Sequence, residues 1–217
     1  MFFSYGNEIW ESLFNSFSSL YLFSGFLNYF YLTCLLVLLI HFKFLHKNYF
    51  IFLSLFCLSP FFFNFILFSP SYMPDQFAYL EEISKLKSGN LEALDFTSLD
   101  GIKRSRLYLA TYLFTSIPLI SYYGIHALAF ANKFLAILLF IFLFNRIKTQ
   151  HLIWVFLLPS FILYTSVSLR DFLIIFISSL SLVWLIERKL IKSLALILLI
   201  LPLKIQNFPG LLFVWLS

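Results

Sequence analysis

Apolar runs long enough to cross a bilayer recur along this chain, and the charges fall mostly in the gaps between them. A spanning helix needs about 20 mostly apolar residues, because lipid offers no water to bond the backbone. Residues 20–42 and 49–69 meet that length, the second interrupted by Pro60, which membrane helices accommodate as a kink. Further apolar runs follow at 124–145, 152–169, 171–186 and 190–203. With 61% hydrophobic and 12% charged residues, the chain lies well above the roughly 45–50% apolar content of soluble domains. The expectation is an all-α polytopic transmembrane bundle of about six spans, a single integral-membrane domain over residues 1–217. Membrane lipid is its first partner.

Charge sets the orientation. The run 107–123 is apolar but holds Thr111, Thr115, Ser116, Pro118 and Ser121. If it lies at the interface or re-enters, then Lys43, Lys47, Arg146, Lys148, Arg188, Lys189 and Lys192 all face the cytoplasm; if it spans, five of the seven do not. The non-spanning reading is preferred. It makes 70–106 an outer loop in which Pro74 suits a first helical turn, Phe77, Leu80, Ile83 and Leu86 share a face, and Gly89-Asn90 is a stop. The first 19 residues hold Glu8 and Glu11 but no Lys or Arg, unlike a secretory signal. At the other end, 208–217 is apolar but too short to cross: either a half-inserted end or, as preferred, the start of a span in a longer chain. The net charge of +5 is scattered between spans, so it anchors loops and forms no nucleic-acid stripe. Cys34 and Cys57 sit inside apolar runs and frame no disulfide, and His41, His46, His126 and His151 lack ligand spacing, so no metal or cofactor is expected.

The same topology brings Asp75, the Arg170-Asp171 turn, and Lys204 with Gln206-Asn207 to one outer face. These residue types suit the holding of a phosphate group beside a carboxylate. Arg170 offers a planar fork for phosphate oxygens, Lys204 a point charge, and a helix beginning near Asp171 its backbone N–H groups. Asp75 is the candidate catalytic base; Arg170, Asp171, Lys204 and Tyr79 are the candidate substrate-binding residues. Each has a plainer reading. Asp75 suits a helix N-terminus whatever the function, Arg170-Asp171 an interfacial turn, and Lys204 an interfacial anchor. Lys133, inside a span, needs a partner, a cavity or a place near the span's end.

The segment Pro74-Asp75-Gln76-Phe77-Ala78-Tyr79-Leu80 resembles the Asp-containing first large outer loop of bacterial O-antigen-polymerase-like and exopolysaccharide-polymerase-like proteins, and more distantly of GT-C glycosyltransferases. Leu158-Pro159-Ser160-Phe161, Thr165-Ser166 and Ser168-Leu169-Arg170-Asp171 resemble their hairpin of Pro-Ser, a small polar residue, then a basic-acidic pair. The resemblance implies a multi-pass protein of the bacterial inner membrane, handling polyprenyl-diphosphate-linked sugars at its outer face by glycosyl transfer or polymerisation. The chain lacks the Asp-x-Asp pair of the GT-C loop and carries two spans ahead of it, which argues against a metal-dependent mechanism. A transporter or structural membrane subunit is the non-enzymatic alternative.

Overall fold

The computed structural model describes residues 7–67, 75–89, 99–124, 126–147, 152–167, 169–204 and 207–216. Pro74, Asn90, Glu92, Asp95, Ser168 and Gln206 lie outside the described residues, as do the side chains of Glu8, Glu11, Asp100 and Lys103. Every regular element among the described residues is helical. The chain divides into two compact units, residues 1–81 with 117–169, and residues 82–116 with 170–217.

The first unit is built from α1 (Asn7–His41), α2 (Phe50–Phe61), α5 (Ala127–Ile147), α6 (Leu152–Leu157) and α7 (Pro159–Ser166). It also holds the start of α3 (Asp75–Lys87). Within α1 and α5, Leu22–His41 and Ala127–Arg146 are each long and apolar enough to cross a membrane, and they carry the membrane assignment. Their burial differs: 67% of the α5 stretch is inside the protein against 28% of the α1 stretch. α5 is therefore the central helix of this unit, and α1 shows Phe23, Phe26, Phe30 and Leu38 on its outer side. Where α1 meets α2, Gly25 leaves room for the Phe61 ring, since a Cβ at this position would stand 2.9 Å from Phe61 Cε1. The centre is aromatic: Phe140 meets Phe156 edge to face at 5.1 Å, and Phe156 lies 4.5 Å from Phe161.

Two prolines set the local geometry. Pro60 has no N–H for the carbonyl of Phe56 four residues earlier. The Ser59 hydroxyl takes that place, donating to Phe56 O at 2.8 Å, and the chain continues as a π-helix over Phe62–Leu67. Pro159 disfavours helix at the residue before it. Leu158 accordingly sits at φ −59°, ψ 129°, and the run 152–169, expected above as one span, is broken into the short helices α6 and α7.

The second unit comprises the rest of α3, α4 (Leu99–Thr115), α8 (Asp171–Ile186), α9 (Leu190–Leu203) and α10 (Phe208–Leu216). α8 and α9 form a tight antiparallel hairpin, with α4 and α10 packed on α9. Its turn is a Schellman closure: Lys189 N–H reaches Trp184 O at 2.8 Å and Arg188 N–H reaches Leu185 O at 2.9 Å. That closure puts Arg188 at φ +59°, a position usually given to glycine. Toward the turn end of the pair, Ser181 and Ser193 hydroxyls meet at 3.0 Å, small residues that let the backbones approach. α8 has 16 residues and α9 has 14, so each alone is shorter than the roughly 20 residues a full crossing takes. Of the ambiguous run 107–123, residues 107–115 complete α4 and 116–123 are irregular.

Candidate functional site

The hairpin of the second unit segregates its charges by end. Arg188, Lys189 and Lys192 lie at the turn, with Lys189 Nζ on Glu187 Oε2 at 2.6 Å. At the opposite end α8 begins and α9 finishes, and there Lys204 Nζ meets Asp171 Oδ1 at 2.7 Å. Both side chains of that pair are about one-third exposed, at 33% and 32%. Pro202 in the last turn of α9 precedes an extended Lys204, at φ −155°, ψ 90°, whose N–H still reaches Ile200 O; this lifts the lysine off the helix course and toward the first turn of α8. Arg170 is the N-cap of α8 and accepts Ile174 N–H with its carbonyl at 3.2 Å. Arg170 as a residue is half-buried, and its guanidinium makes no ion pair among the described residues. The end thus holds a neutralised pair beside one cation with its fork still available, an arrangement suited to an anion.

Asp75 and Tyr79 belong to the first unit. Asp75 is the exposed first residue of α3, where a carboxylate is favoured by the helix dipole. Tyr79, one turn later, is buried. On α3's continuation in the second unit, Glu82 is buried and takes Lys85 Nζ at 2.9 Å. Asp171 and Lys204 are thus joined to each other, with Arg170 next in sequence, whereas Asp75 and Tyr79 sit on a different element of the other unit.

The interior of the first unit holds a cation. Lys133 on α5 is completely buried; its Nζ donates to Thr165 Oγ1 at 2.7 Å and stands 3.5 Å from the centre of the Phe56 ring. Thr165 Oγ1 also lies 2.9 Å from Phe161 O and 3.0 Å from Ile162 O, so its own proton serves α7 and it meets the lysine as an acceptor. No carboxylate pairs with Lys133 among the described residues. Asn132, its neighbour, is also fully buried and donates from Nδ2 to Val167 O and Leu169 O, both at 3.0 Å. On the other side of α7, Ser166 Oγ lies 2.6 Å from Ser59 Oγ, tying the end of α7 to the proline break of α2.

Lys133 stands out in the sequence as a charge within a span. Asn132 does not: its partners are backbone carbonyls more than 30 residues away, and the only signal is a polar pair on an apolar helix facing a later Thr-Ser. Among the described residues no three His, Cys, Asp or Glu side chains gather where a metal would need them. No protein-family model, curated protein or solved structure matches this chain.

Proposed function

We propose that this is a multi-pass protein of the bacterial inner membrane that acts in envelope polysaccharide assembly, transferring or polymerising sugars carried on a polyprenyl diphosphate. The observation that carries the reading is the Lys204–Asp171 pair at 2.7 Å with Arg170 beside it, at one end of the α8–α9 hairpin. Arg170 grips the diphosphate by two parallel hydrogen bonds, and Asp171 holds Lys204 where the ammonium's remaining N–H donors add to the grip. In the transfer, the acceptor hydroxyl oxygen bonds to the anomeric carbon while the bond from that carbon to the diphosphate oxygen breaks. The diphosphate leaves with the electron pair, stabilised by Arg170 and Lys204, and the hydroxyl proton passes to a base. Asp75 is the base in this reading on sequence grounds, and Tyr79 a substrate contact on the same grounds. About six crossings, some made by broken or paired short helices, complete the topology.

The test is polymer formation in cells. Arg170→Lys exchanges a fork for a point and is expected to lower polymer strongly, and Asp75→Asn to abolish it with the protein still inserted. Near-normal polymer from Asp75→Asn removes the base assignment, and near-normal polymer from Arg170→Lys removes the diphosphate grip. One observation favours a non-enzymatic transporter instead: Lys133, a fully buried cation in a helix long enough to cross the membrane, of the kind that lines transport paths.

A further inference from the structure

We propose that Asn132 is a positioning residue for the turn that delivers Arg170, an inference that rests on reading that turn as the diphosphate site. A helix that stops inside apolar surroundings leaves carbonyls without partners, and α7 stops at Ser166. Val167 is extended at φ −109°, ψ 152°, and Leu169 N–H reaches Val167 O at 2.9 Å. Asn132 Nδ2 spans this turn with its two protons, 3.0 Å from each of Val167 O and Leu169 O, and Tyr164 O lies at 3.5 Å. Lys133, next on α5, holds the preceding turn of α7 through Thr165.

The consequence for Arg170 is covalent. The Leu169 carbonyl lies in one planar peptide unit with the Arg170 nitrogen and Cα. An amide on α5 that fixes this oxygen therefore fixes the plane from which Arg170 departs, and no second side chain bonds to that oxygen among the described residues. The carbonyls that α7 itself leaves open are those of its last turn, whereas the two oxygens held at 3.0 Å lie beyond it, and two donors on alternate carbonyls define an orientation. A serine at 132 reaches one carbonyl at most, and an alanine neither.

The test uses the full chain in membranes with Cys34→Ser, Cys57→Ser and the reporter Leu169→Cys, a half-buried position beside the gripped carbonyl. Loss of both hydrogen bonds in Asn132→Ala is expected to speed maleimide labelling of the reporter about tenfold, with Asn132→Ser in between. Farnesyl diphosphate, the probe for the site, should protect the reporter, and the half-protecting concentration should rise about tenfold in Asn132→Ala. A residue that merely stabilises the fold would change the amount of inserted protein and leave that concentration where it was. Should Asn132→Ala fail to insert, Asn132→Ser is read in its place. Unchanged labelling overturns the grip whatever the probe does. Faster labelling with an unchanged half-protecting concentration overturns the positioning role. Faster labelling in a chain whose parent reporter is never protected supports the grip and refutes the diphosphate reading.

Discussion

Replacing Lys133 by methionine should leave the protein as stable as before or more so. The ammonium is completely buried and has one hydroxyl and one ring face as partners. A hydrogen bond from a charged donor contributes about 1.5–3 kcal/mol and a desolvated cation–π contact about 2 kcal/mol. Against them stands the cost of burying an ion, several kcal/mol after relaxation, with no carboxylate to offset it among the described residues. Methionine keeps the unbranched stem and fills the same volume against Phe56. Thr165 loses an incoming proton but keeps its own bond to α7, so no donor is orphaned. The net gain expected is about 0–3 kcal/mol, which for a chain of this size raises the melting temperature by at most roughly 10 °C. Lys133→Ala, which empties the space, should instead lose about 2 kcal/mol or more. Thermal unfolding of the purified chain in a mild detergent, followed by circular dichroism, reads all three. A fall of more than about 1 kcal/mol in Lys133→Met would refute the reasoning and make the ammonium a structural asset.

Two further outcomes follow from the same geometry. Ser59→Ala should cost about 1–3 kcal/mol, because the Phe56 carbonyl loses its substitute donor and Ser166 loses its contact; adding Pro60→Ala restores a backbone N–H and should recover the Phe56 part of the loss, and a double variant no better than Ser59→Ala would show that the hydroxyl does not fill that role. In a double-mutant cycle with Asp171→Asn and Lys204→Gln, the one-third-exposed pair should show a coupling of about 0.5–1 kcal/mol at low salt that shrinks at high salt; no coupling at low salt would mean the 2.7 Å contact does not hold Lys204 in place.

Hydrophobic run length made the helices legible, and proline the places where they are interrupted. The kink at Pro60 follows from its missing N–H, as does the replacement of ladder by side chain at Ser59. Pro159 carries the same signal, but a run of apolar residues on both sides also fits one continuous helix, and only the structure shows Leu158 turned out of it. The pairing of Lys204 with Asp171 agrees with their both falling at one end of a hairpin, which the alternation of apolar runs and turns already implied. The grip of Asn132 on Val167 and Leu169, and of Asn28 on the backbone of Ser121 at 2.7 and 3.0 Å, was not legible. In each case the partner is a main-chain group far along the chain, and any residue type offers the same carbonyl or N–H. Nothing in the sequence marks which one is used.

These grips explain six of the polar residues that interrupt apolar helices among the described residues. Ser59 serves the proline break, Ser24 and Asn28 hold the irregular segment at Ser121 and Tyr123, Ser181 and Ser193 join α8 to α9, and Asn132 holds the end of α7. Each lies where backbone leaves the helix ladder or where two helices approach closely, and in lipid those are the places where side chains must supply what water cannot. Lys133 and Arg170 do not fit that account. Thr165 already bonds to its own helix without Lys133, and the Arg170 guanidinium has no ion-pair partner among the described residues. An ionisable group that repairs no backbone break and has no counter-charge is expensive to keep in a membrane protein for structure alone. Those two cations are therefore the residues whose roles the fold does not account for, and Lys133 is the one whose charge a melting experiment can separate from the fold.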